Sequence, residues 1–311
     1  MRQVSPKLQP WLAVFNEQLA ILIENGFKAT PVNAREGLAN LTRGLVTTSP
    51  VIAWVQDDIV AGEEYDVPVR IYHPDPTREL PVLVYFHGGG HMGGSVTVYD
   101  PLCRKMALTT QHIVVSVEYR LAPECPYPAG LNDAYNVVKH LWTTLESQAV
   151  RYARQLSIGG DSGGGALAAS VSRLAQFDAS VSIHRQVLIY PSLDYTMSMP
   201  SLEQNAIGYL LHTSKIAWYF DNYFRHGENR YQASPLYGEF TPNLPETFVI
   251  TAEFCPLRDE GFAYVNQLED NDIPVSHLHF EDMIHTFMNM EDLVQAECEQ
   301  VYREMGHFLN S

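Results

Sequence analysis

The chain is poor in basic residues, poor in cysteine and without any long apolar run. Its 20 Lys and Arg face 36 Asp and Glu, a formal charge of −16 at neutral pH. Such a surface repels phosphate backbones and anionic bilayers, so neither nucleic acid nor membrane is expected as a partner. Four cysteines, Cys103, Cys125, Cys255 and Cys298, are scattered without a Cys-x-x-Cys pair. That pattern argues against a thiolate metal site, and a chain of this size needs no disulfide staple, so free thiols in a reducing compartment are expected. No stretch reaches the roughly 18 apolar residues of a membrane span. Met1 to Trp11 contains no uninterrupted apolar segment leading to a small-residue cleavage site, and cytoplasmic residence is the default expectation. Internal repeats and low-complexity segments are also missing.

What is present is a large core: 311 residues, 46% of them apolar, enough for one large α/β domain or two smaller ones. Strand-like runs recur at 51–57, 67–73, 81–86, 112–118, 155–159, 185–190, 246–252 and 275–280. Helical patterns lie at about 131–147, 163–176, 258–270 and 288–309. Alternation of the two predicts an α/β fold, a mostly parallel eight-stranded sheet flanked by helices, with functional groups beyond the C-terminal strand ends.

One such end carries a serine framed by glycines, Gly160-Asp161-Ser162-Gly163-Gly164. A Gly-x-Ser-x-Gly turn between strand and helix strains the serine backbone and pushes its hydroxyl above the sheet, while the helix N-terminus points free N–H groups at the same spot. Ser162 is therefore the candidate nucleophile. A phosphate loop is the bland alternative, but no lysine stands at the P-loop position and the spacing is wrong. A second strand, Pro81 to Phe86, runs into His87-Gly88-Gly89-Gly90. Bare backbone there can aim N–H groups at a developing oxyanion, and Gly88, Gly89 and Gly163 are the expected donors. His87 is expected to brace that loop.

These two motifs, with Tyr119-Arg120-Leu121-Ala122-Pro123-Glu124 between them and Met283-Ile284-His285-Thr286-Phe287 near the end, resemble the hormone-sensitive-lipase family of α/β-hydrolases, the bacterial group IV esterases. The resemblance runs over nearly the whole chain. It implies hydrolysis of carboxylic esters with modest acyl chains, a small-molecule ester as partner, and no metal or organic cofactor. It also implies one hydrolase domain over 1–311 with a helical cap formed by about 1–45 and 192–240. Residues 6–26 read as an amphipathic helix and 192–240 as a helical, aromatic insertion, consistent with that cap. The oligomeric state stays open, with a homodimer among the alternatives.

His285 is the candidate base. It follows the last strand and precedes the last helix, in the order nucleophile, acid, histidine that this fold requires. The family carries its acid as the first residue of Asp-Pro-Leu-x-Asp, whereas this chain reads Cys255-Pro256-Leu257-Arg258-Asp259. The expected aspartate is replaced by Cys255. Asp259, on the same loop or first helical turn, is the leading substitute, with Glu253 and Glu260 weaker. Cys255 itself, as thiol, thiolate or sulfinate, is the alternative. Asp282 and Thr286 stand where the family usually has glycine. The expected reaction is acyl transfer to water through Ser162. The rival is a catalytically weakened or non-hydrolytic small-ligand-binding member of the same fold, as the plant gibberellin receptors of this family are.

Overall fold

In the computed structural model, which describes residues 2–311, eight strands form one twisted sheet: β1 (Trp54–Val60), β2 (Val67–His73), β3 (Leu80–Phe86), β4 (Ile113–Val117), β5 (Tyr152–Asp161), β6 (Arg185–Ile189), β7 (Glu246–Phe254) and β8 (Val275–Ile284). They lie in the order β1-β2-β4-β3-β5-β6-β7-β8. β1 and β2 run antiparallel and join an otherwise parallel sheet through an antiparallel β2–β4 pair. The central strands carry unbroken apolar runs because helices cover both of their faces; every residue of β4 and β6 is buried.

The helices are α1 (Gln9–Glu24), α2 (Pro31–Leu45), α3 (Val96–Thr110), α4 (Ala129–Ser147), α5 (Gly163–Ala175), α6 (Ser201–Gln204), α7 (Thr213–Tyr223), α8 (Arg230–Ala233), α9 (Arg258–Asp270) and α10 (Gln295–Asn310). In α4 the buried positions Asp133, Ala134, Val137, Val138, Leu141, Thr144 and Leu145 repeat at three and four residues, the stripe of a helix packed on a sheet. α5 is buried almost all round, and its glycines and alanines let it lie close beneath the strands.

Several boundaries and one whole helix differ from the sequence expectation; β5 and β8, for example, run from Tyr152 to Asp161 and from Val275 to Ile284. β1 starts at Trp54 rather than 51 because its pairing with β2 runs from Trp54 opposite His73 to Val60 opposite Val67, leaving Val51 at 90% exposure. The last helix starts at Gln295, after a single 3-10 turn at Phe287–Met290. α3 has no counterpart among the helical patterns read from the sequence; Pro101 lies inside it, and the Ser95 hydroxyl caps its start by accepting from Val98 N–H at 3.1 Å. No helix among the described residues is long and apolar enough to cross a membrane.

Candidate active site

The end of β5 turns directly into α5, and Ser162 sits on that turn with φ 54° and ψ −120°, outside the regions a side chain normally adopts. The turn is this tight because its flanks are glycine. A Cβ on Gly160 would lie 2.3 Å from the Gly164 carbonyl oxygen, and one on Gly164 would lie 2.0 Å from that of Phe86. Two backbone bonds tie the elbow to the sheet: Ser162 N–H donates to Ile189 O at 2.9 Å, and Ser192 N–H donates to Ser162 O at 3.1 Å.

His285 directly follows the end of β8, and its Nε2 lies 2.8 Å from Ser162 Oγ. The next residue, Thr286, is left-handed at φ 69°, a conformation that glycine adopts more easily. His285 is 3% exposed, and its ring lies 4.8 Å from that of Tyr190. Burial, with a smaller contribution from the charge of Lys215, pushes the imidazole pKa down to about 3. The ring is therefore neutral near pH 7, the form a general base needs.

The other ring nitrogen, Nδ1, faces Cys255 Sγ at 3.1 Å. The same sulfur accepts from Leu257 N–H at 3.3 Å. Burial raises the Cys255 thiol well above its ordinary value, so the group is a neutral S–H. A neutral thiol can accept from an Nδ1–H or donate to a bare Nδ1. Only the first leaves the Nε2 lone pair free for the serine proton, whereas a carboxylate can do nothing but accept.

Asp259, the leading expected substitute for the missing acid, is placed elsewhere. It lies in the first turn of α9, where Oδ2 accepts from Ser201 N–H at 2.8 Å and Oδ1 pairs with Arg258 Nε at 2.8 Å. The helical turn carries its side chain toward the start of α6 rather than toward the imidazole. Glu253 points to Arg2, Arg258 and His279. Glu260 is buried and accepts from the N–H groups of Leu193 and Asp194, the latter at 2.6 Å. Of the groups weighed for that position, Cys255 is the one that meets His285.

The oxyanion donors also need a correction. Gly88 N–H is already spent on Asp161 Oδ1 at 2.7 Å, so it does not face the cavity. Gly89, Gly90 and Gly163 do line it, and a Cβ on Gly163 would lie 3.2 Å from Gly90 N, so those backbones converge. Gly90 was missed because consecutive glycines look alike until a partner claims one of them. That partner, Asp161, accepts from Gly88 N–H and from the hydroxyls of Tyr85 and Tyr99, each at 2.9 Å, and so clamps the glycine loop against the elbow. Burial lifts its pKa to about 6 despite these bonds. His87 stacks on Tyr119 with ring centroids 4.4 Å apart, and the Tyr119 hydroxyl donates to His87 O at 2.6 Å, which matches a bracing position.

Above these groups lies a cavity of about 310 Å³. Trp11 and Phe15 of α1, Leu38 and Leu41 of α2, Leu210 and Leu211, and Tyr219 and Phe220 of α7 wall it, while Ser162 and His285 form its floor.

The model of a family described by its alpha/beta hydrolase fold matches residues 83–289. The chain is 34% identical over 247 residues to the carboxylesterase NlhH of Mycobacterium tuberculosis, covering 78% of this chain and 77% of that protein. It is 30% identical over 306 residues to an ethyl acetate hydrolase of Pseudomonas putida, covering 94% and 95%. Among solved structures, a hyperthermophilic esterase of the archaeon Pyrobaculum calidifontis superposes with a TM-score of 0.87 at 31% identity, over 99% of this chain and 98% of that one.

Proposed function

Since the chain belongs to the hormone-sensitive-lipase family of α/β-hydrolases, we propose that it is a serine carboxylesterase acting on small esters through an acyl-enzyme, with a thiol in place of the third triad member. The observation that carries this reading is the 2.8 Å contact between the strained Ser162 hydroxyl and the neutral, buried His285 ring. In the reaction, Ser162 Oγ attacks the ester carbonyl as His285 Nε2 takes its proton. Negative charge on the carbonyl oxygen is met by N–H groups of Gly89, Gly90 and Gly163. The proton then passes to the leaving alcohol, and water repeats the sequence on the acyl-enzyme.

Cys255 holds the ring but supplies no charge as imidazolium forms, which leaves catalysis weaker than a carboxylate would make it. Short-to-medium acyl groups suit a cavity of about 310 Å³ with apolar walls. We assign α1, α2 and the segment 192–240 as the cap of a single hydrolase domain, because their apolar side chains wall that cavity.

The test is steady-state and burst hydrolysis of p-nitrophenyl acetate, with mass detection of a serine-directed phosphonate adduct. Release of nitrophenol that disappears in Ser162→Ala, with the adduct on Ser162, supports the reading. No turnover and no adduct would instead mean a ligand-binding member of the fold, the outcome the Cys255 substitution would otherwise favour.

A further inference from the structure

We infer that the cavity selects esters that carry a second, anionic group, a carboxylate one short chain away from the scissile carbonyl, and that Lys215 is the residue that recognises it; this deepens, and rests on, the esterase reading. Lys215 is the one Lys or Arg among the described residues lining the cavity. Its ammonium lies 5.6 Å from the centroid of the Tyr219 ring. That ring in turn packs on the oxyanion loop, since a Cβ on Gly90 would lie 2.6 Å from Tyr219 Cδ2. The cation thus lines the same cavity of about 310 Å³ as Ser162 and His285, and its charge is felt at the His285 ring.

Lys215 is solvent-exposed, and its ammonium is left to act on what enters the cavity. Among the described residues Lys215 has no ion pair, although the chain carries 36 Asp and Glu. It also sits in the first turn of α7, where the helix macrodipole is positive and a cation is disfavoured, and that turn contains no acidic residue. Charge and dipole therefore add instead of cancelling. The other titratable groups lining the cavity offer an anion no competing cation and no free negative charge to repel it. His91 and His285 are held neutral by burial, with pKa values of about 3, and Asp161 is enclosed by its three hydrogen-bond donors. A substrate carboxylate gains attraction to the ammonium that a neutral ester lacks, reduced by the solvent around an exposed lysine, so the preference is modest.

Two pairs of esters test this, each comparing a carboxylate with its neutral carboxamide twin. Monomethyl glutarate and the methyl ester of glutaramic acid place the group on the acyl side; 4-acetoxybutanoate and 4-acetoxybutanamide place it on the alcohol side. The wild-type protein should favour the carboxylate by about threefold to tenfold in kcat/KM in one of the pairs, identifying its side, and 1 M salt should shrink the preference. Lys215→Met should abolish it and Lys215→Arg retain it. The readout is the ratio within a pair, so a change of His285 basicity or of folding cancels. Equal rates for both members of each pair, or a preference that survives Lys215→Met, would overturn the inference while leaving the esterase reading intact. Hydrolysis of none of the four esters by a protein that turns over p-nitrophenyl acetate would overturn the inference alone; absence of p-nitrophenyl acetate turnover as well would overturn both.

Discussion

Replacing Cys255 by aspartate should speed this protein up, and the surroundings of the sulfur say why. Two nitrogens already converge on Sγ: His285 Nδ1 at 3.1 Å and Leu257 N–H at 3.3 Å. A carboxylate has one oxygen for each. With the thiol, two deficits combine. Allowing both imidazole tautomers costs about a factor of two, or roughly 0.4 kcal/mol. Lacking a negative charge beside the forming imidazolium adds to this: in a serine protease, replacing the aspartate by asparagine, which removes the charge and leaves the wrong tautomer, lowers turnover about 10⁴-fold, some 5 kcal/mol of barrier, an upper bound for the two deficits together. Part of it is offset by the cost of ionising a carboxylate at a site where the residue is 1% exposed. We therefore expect Cys255→Asp to raise kcat for p-nitrophenyl acetate by about 10²-fold to 10⁴-fold with little change in KM. Its carboxylate should also lift the acid limb of kcat/KM toward neutral pH. Cys255→Ala should lower kcat only severalfold, because a thiol is a weak acceptor. A folded Cys255→Asp protein, verified by near-UV circular dichroism and thermal melting, whose kcat stays within twofold of wild type would refute the reasoning.

Three other outcomes are open to measurement. Asp259→Asn should leave kcat within about threefold of wild type and act mainly on stability, because its carboxylate serves Ser201 and Arg258; a 10³-fold loss would restore it as the acid. A depressed histidine pKa means that the base-competent neutral form persists on acidification and disappears only as pH falls through about 3, so His285 imposes no acid limb between pH 8 and pH 5, and a fall near pH 6 belongs to protonation of Asp161; an acid limb near 6.5 that persists in Asp161→Asn would contradict the burial of the ring. Asp161→Asn turns an amide group toward one of three donors and should cost about 1–3 kcal/mol of stability by thermal or urea unfolding. It should also lower kcat, since the glycine loop loses its clamp.

Much of the fold was legible because central strands in a parallel sheet must be apolar on both faces, and their turns must be glycine where backbones touch. The runs ending at Phe86 and Asp161 are of that kind. What escaped were choices made between near-equivalent candidates. Gly88, Gly89 and Gly90 differ in the sequence by nothing but position, and Asp161, 73 residues from Gly88, decides which N–H is left over. Asp259 lies four residues past the vacant acid position, close in the chain, yet the first turn of α9 aims it at Ser201. α3 was hidden by Pro101, and Lys215 by belonging to an aromatic insertion with no motif of its own.

The sequence by itself determined the α/β architecture, the elbow at Ser162 and the chain order that singles out His285, because periodicity, glycine placement and order act locally or along the chain. It also revealed that aspartate is missing at position 255. Only the tertiary structure decided which group meets His285 at that position, which glycines face the cavity, and that Lys215 lines its wall. Those outcomes depend on through-space distances of about 3 Å between residues 30 to 123 positions apart, and hydrogen-bond competition at that range leaves no periodic trace in a sequence.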